Sequence, residues 1–271
     1  MMLLEALQLP DACLVQQKIP KKAIAANSKS SAAAARLLQD SVDSIQLLGH
    51  ITPNNSNIAA YNDGEHEYLE ILYISLKLKK RAMVSAAQLK SLHQLLHQSI
   101  AYPLILEISG QEGSQWSLAE KTINQARPEH EQLVIQELLV SDWQSDDSSP
   151  LQHQFHQSLS FVRQDYSHLM ALYQSLLGCF FRYLTAASLG QAALRIAEGG
   201  DTVDGPGLQQ QREQLHKIQD LQGKIIALKS RREACSQFNE KVELNVQLQR
   251  LQLQLKRICS EVNVGMHNES Q

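Results

Sequence analysis

From Leu208 to Val262, apolar residues recur at three- and four-residue steps. They are Ile218, Leu221, Ile225 and Leu228, then Leu244, Leu248, Leu251, Leu255, Ile258 and Val262. Side chains spaced this way line one face of a helix, and that face must bury itself against another helix. The first run fits one heptad frame and the second another, displaced by two residues across Gln237–Lys241. Such a slip predicts either a local unwinding in one long helix or a turn between two antiparallel helices. No Gly or Pro lies between Lys224 and Val262, which disfavours a tight turn without excluding one.

The front of the chain has a different rhythm. Ser30–Asp40 is Ala-rich and predicts a short helix. Val42–Ile51 alternates as a strand does and stops at Thr52-Pro53-Asn54-Asn55. His66–Leu78 is the clearest strand, with Leu69, Ile71, Tyr73 and Ser75 on one face. Ser85–Ile100 is an amphipathic helix: Leu89, Leu92, Leu96 and Ile100 share a side, and Ser85 stands where an N-cap is needed. Tyr102–Ser109, Ser114–Glu120 and Glu131–Leu139 read as strands, the first two joined by a turn at Gly110–Gly113. Helices and strands in this order predict a mixed sheet with helices packed on it.

Two breaker-rich stretches divide the chain. Ser141–Pro150 is acidic and polar and reads as a linker, and Gly199–Gly207 reads as flexible. The predicted fold is therefore α+β: a small mixed-sheet α/β domain over residues 1–145, a helical segment over 151–198, and a coiled coil or helical hairpin over 208–262.

With 271 residues and a formal net charge of -3, the chain has no overall basic coat, so any nucleic-acid contact must be a local patch. Its four cysteines are scattered with no CxxC pair, which fits a reducing cytoplasm and the absence of a zinc-finger spacing. The first residues carry an early glutamate, Glu5, and lack the regions of a secretory signal. Leu169–Leu189 approaches membrane length, but Gln174 and Arg182 interrupt it, so a helix buried in protein is expected.

Three strings resemble a bacterial family known as domain of unknown function 4391. They are Lys18-Ile19-Pro20-Lys21-Lys22, then Thr52-Pro53 leading to Asn57-Ile58-Ala59-Ala60 and a strand ending in Leu76-Lys77, then Gln237-Phe238-Asn239-Glu240-Lys241-Val242-Glu243-Leu244-Asn245. Their order and spacing carry the resemblance over nearly the whole chain, with residues 185–207 as a local expansion. The resemblance implies an association with DNA methyltransferases and helicase-like ATPases, beside which members are encoded in restriction or anti-phage clusters. It implies no chemistry.

Chemistry is sparse. A restriction-type nuclease needs carboxylates for Mg²⁺ and a lysine at the end of a central strand. Glu67, Glu70 and Lys77 are the candidates, but an odd spacing sends Glu67 and Glu70 to opposite faces of a strand. The resemblance implies a glutamate two before the lysine in many members, where this chain has Ser75. His93 and His97, and likewise His153 and His156, have helical spacing without a third ligand, and solvated helix faces are expected for both pairs. Lys18, Lys21 and Lys22 with Lys77, Lys79, Lys80 and Arg81 form the densest basic groups, and Lys18, Lys21, Lys22 and Lys77 are the candidates for a phosphate backbone.

The expectation is thus a cytoplasmic, non-catalytic accessory or adaptor subunit of a DNA-modification or anti-phage complex, with no cofactor, no metal and no membrane. Its partner would be a helicase-like ATPase, a DNA methyltransferase or a second copy, held by Ile218, Leu221, Ile225, Leu228, Leu248, Leu251 and Leu255. A degenerate restriction-endonuclease-like nuclease and a DNA-binding module are the alternatives.

Overall fold

The strands with the cleanest alternation, over residues 42–51 and 71–78, pair in the middle of a six-stranded sheet. In this computed structural model, residues 3–27, 32–123, 133–145, 149–190 and 207–265 are described. The chain divides into two units, Met1–Phe180 and Phe181–Gln271. That boundary falls inside a helix rather than at either breaker-rich stretch.

The first unit opens with α1 (Leu3–Leu7), β1 (Leu14–Lys18), α2 (Lys21–Asn27), α3 (Ala32–Ser41) and β2 (Val42–Ile51). A one-turn helix, α4 (Pro53–Ser56), leads to a small hairpin of β3 (Tyr61–Asn62) and β4 (Glu67–Tyr68). Then follow β5 (Ile71–Leu78), α5 (Ala86–Ser99), β6 (Leu104–Ser109), β7 (Ser114–Ile123), β8 (Leu133–Val140), α6 (Pro150–Ser158) and α7 (Leu169–Ser188), whose end enters the second unit.

The large sheet has the order β1-β2-β5-β6-β7-β8. All neighbours are antiparallel except β5 and β6, which run parallel because α5 carries the chain across between them. Ser85 starts α5 as expected: its side chain accepts the Gln88 N–H, and Gln88 returns a bond to the Ser85 N–H. One sheet face is a leucine-rich core in which Ile45, Ile74, Leu76, Leu104 and Leu106 meet Ile24, Leu38, Leu89, Leu92 and Leu96 from α2, α3 and α5. The residues between them point the other way. There Trp116 meets Phe155 of α6, and the Tyr173 hydroxyl of α7 bonds to the backbone of Ala119 and Leu104.

Several expectations change. Residues 14–18 form a strand the alternation did not reveal, because its polar residues lie at the sheet's edge. The predicted strand 66–78 is interrupted: Leu69 is outside both β4 and β5, and is exposed. Half of the predicted linker is structured. Ser141 and Gln144 are buried, the Gln144 and Ser114 backbones exchange two hydrogen bonds, and the Trp116 N–H donates to the Ser141 side chain. The helical segment is two helices, because a short 3-10 turn at Phe161–Arg163 separates α6 from α7. Residues 146–148 and 199–206 of the two predicted linkers lie outside the described residues.

The second unit holds the end of α7 and two long helices, α8 (Leu208–Ala234) and α9 (Phe238–Gly265). They pack together as an antiparallel hairpin. Ile218 and Leu221 meet Leu251, Leu255 and Ile258, and nearer the turn Arg232 reaches Asn245. No helix among the described residues is long and apolar enough to cross a membrane.

Candidate functional site

The hairpin turn explains how a frame slip becomes a reversal without Gly or Pro. Cys235, Ser236 and Gln237 leave the helical conformation, and polar side chains clasp the gap. Arg231 donates to Glu240 at 2.9 Å, and the Cys235 thiol donates to the other oxygen of that carboxylate at 3.2 Å. These two donors hold the Glu240 carboxyl below its ordinary range. The clasp is exposed, so the apolar seam behind it supplies most of the hold.

The seven residues expected to bind a partner make that seam. Ile218, Leu221, Ile225 and Leu248 are buried within the chain, and Leu228, Leu251 and Leu255 are half-buried. The physical reason is the turn: once the chain reverses, each helix becomes the other's mate. The side chain of Val262 lies outside the described residues.

A different apolar set faces water. Phe238 is 77% exposed, Leu253 59%, Val242 46% and Val246 43%. With about 3.6 residues per turn, the four fall within roughly a quarter of the circumference of α9, on the side opposite Leu244 and Leu248. The first heptad frame, carried on past the slip, sets Val242 and Val246 at seam positions; the chain reversal leaves both exposed instead.

The basic candidates do not form one patch. Lys18 pairs with Gln46, and Lys77 with Ser44, so Lys18 and Lys77 share a sheet face, the one turned away from the leucine core. Lys21 and Lys22 instead begin α2, whose Ile24 packs into that core, and the Lys21 ammonium is held by the Val42 carbonyl.

The carboxylates are similarly dispersed. Glu70 binds His50, and Glu67 sits on the small hairpin. Next to Ser75, in register, stands Glu107 on β6. Its carboxylate is buried and already committed, accepting the Tyr73 hydroxyl at 2.6 Å and the Leu3 N–H at 3.2 Å. Among the described residues, no group of three or more His, Cys, Asp or Glu side chains is placed to hold a metal ion.

The histidine expectation is corrected for three residues. His93, His97 and His156 are buried, while His153 is exposed. His93 Nδ1 and His97 Nε2 flank the Ser117 hydroxyl at 2.8 and 2.9 Å. One hydroxyl hydrogen serves one ring, so Ser117 donates to one imidazole and accepts an N–H from the other. Burial pushes His93 down to about 4 and holds His97 well below the ordinary range, with Lys121 adding to the effect. Lys121, also buried, donates to the Ile100 and Tyr102 carbonyls and is pushed down to about 7 by burial. A serine between two imidazoles resembles a nucleophile with its base, but Ser117 is sealed from solvent and no carboxylate orients either ring. The cluster fastens α5 to β7. On the other sheet face, His156 stacks near Trp116, bonds to Gln144 at 2.9 Å, and is pushed by burial to about 4.

The sequence matches the family described as "Domain of unknown function (DUF4391)" over residues 7–255, which spans the sheet, the covering helices and most of the hairpin. The chain belongs to the DUF4391 family. The matched range reaches into both units. No curated protein and no solved structure matches the chain.

Proposed function

We propose that this DUF4391 protein is a non-catalytic assembly subunit of a bacterial DNA-modification or anti-phage complex, and that its helical hairpin is the docking element. The observation that carries the reading is the exposed apolar stripe of Phe238, Val242, Val246 and Leu253. Contiguous apolar patches on a protein surface mark interaction sites. In the first unit, Ser117 is sealed from solvent and the Glu107 carboxylate is already bonded. The genomic company implied by family membership, methyltransferases and helicase-like ATPases, supplies the candidate partners, with a second copy as the third.

The test is co-expression with the neighbouring methyltransferase or ATPase and co-purification on a tag. Val242→Glu with Leu253→Glu is expected to abolish recovery, whereas Lys21→Ala with Lys22→Ala is expected to leave it intact. Unchanged recovery of the stripe variant refutes the reading.

DNA binding is the second reading. It draws on Lys18 and Lys77, which lie on the same sheet face, and it requires affinity that falls steeply with salt.

A further inference from the structure

Resting on the reading that the hairpin docks, we propose that the occupant of the α9 stripe is a second copy of the same stripe, paired antiparallel about a two-fold axis. A two-fold contact requires a patch that is complementary to itself. The stripe meets this condition in both residue pattern and charge. With the axis between Gln247 and Leu248 in sequence, Val242 faces Leu253 of the other copy, and Val246 faces Gln249. Phe238 lies against the stems of Lys256 and Arg257, where an exposed ring and a cation attract one another.

The flank of the stripe decides the direction. Glu243 stands on it, and Arg250 follows two turns later; both are exposed, and neither forms an ion pair among the described residues. In the antiparallel pairing each Glu243 faces the Arg250 of the other copy, twice per dimer, and Arg257 faces Asn239. A parallel pairing sets this flank against the opposite flank of the other copy, so Glu243 and Arg250 do not meet, and their attraction is available to the antiparallel dimer. No base meets a base in the antiparallel register.

The experiment is sedimentation equilibrium on the pure full-length chain over a concentration series. The expected mass approaches twice 30.4 kDa at the upper end. Val246→Glu is expected to weaken association at least tenfold while helical circular dichroism is unchanged, since Val246 lies outside the seam. Glu243→Arg alone and Arg250→Glu alone are each expected to be monomeric, because each sets like charges opposite one another. Mixing those two variants restores both attractive pairs and should restore the dimer. A monomer at every concentration overturns the proposal, as does a dimer that survives Val246→Glu or a mixture that stays monomeric. If the chain is monomeric but Val242→Glu with Leu253→Glu still loses a neighbouring enzyme, docking by the hairpin stands and the two-fold pairing fails.

Discussion

Acidification should unfold the first unit through its sealed imidazoles. His93 and His156 have folded pKa values near 4, against an ordinary 6.5, because burial disfavours the charged ring. Between these values the unfolded chain binds protons that the folded chain refuses, so stability is full above about pH 6.5 and is lost as pH falls toward 4. A depression of this size is worth roughly 3 kcal/mol for each of the two histidines when the window has been crossed. His97 is lowered in the same direction and adds to the loss. Domains of this kind have only about 5–15 kcal/mol in hand, so a large share is consumed before any carboxylate is considered. The assay is urea unfolding followed by tryptophan fluorescence from pH 7.5 down to 4.5, since Trp116 sits against His156 at 4.7 Å between ring centres. The unfolding free energy should drop by several kcal/mol across that range. Replacing His93 by Asn and His156 by Gln keeps the bonding nitrogen in place and removes the titration, so the slope should flatten. A flat profile in the parent chain, or a variant as steep as the parent, refutes the account of these rings as buried and neutral.

Two further outcomes follow from geometry. Gly113→Ala should destabilise the first unit by about 3 kcal/mol or more, seen as a lowered urea midpoint: its φ of +125° suits glycine, and an added Cβ would run into the Gln144 carbonyl oxygen. Leu221→Glu should place a carboxylate in the hairpin seam and strip hydrogen-exchange protection from residues 208–265, while β5 and β6 amides keep theirs; retained protection in α8 would contradict the seam.

How much of this was legible depends on the range of the interactions. Elements set by their own residues could be read: the N-cap at Ser85, the strand at 42–51 and the turn at Gly110–Gly113 are all local. The imidazole cluster was not legible, because the serine that binds His93 and His97 lies on another element, and i,i+4 spacing looks alike on a wet or a dry helix face. α5 is buried over more of its circumference than its leucines indicate, since His93 and His97 are covered too. The hairpin was half legible. Its frame slip was visible, but the choice between a stutter and a turn rests on side chains that meet only after the chain reverses, such as Arg231 with Glu240. For that reason the sequence-level docking residues proved to be the seam, and the exposed stripe had to be found in three dimensions.

The strand order of the large sheet has a bearing on biosynthesis. Apart from the small β3–β4 ribbon, the six strands stand side by side in the order in which a ribosome would deliver them. No strand must be held open for a neighbour translated later and slotted between two earlier ones. Growth proceeds from one rim to the other, each strand pairing with the one that precedes it in the sheet, a topology that lowers the entropic toll on assembly.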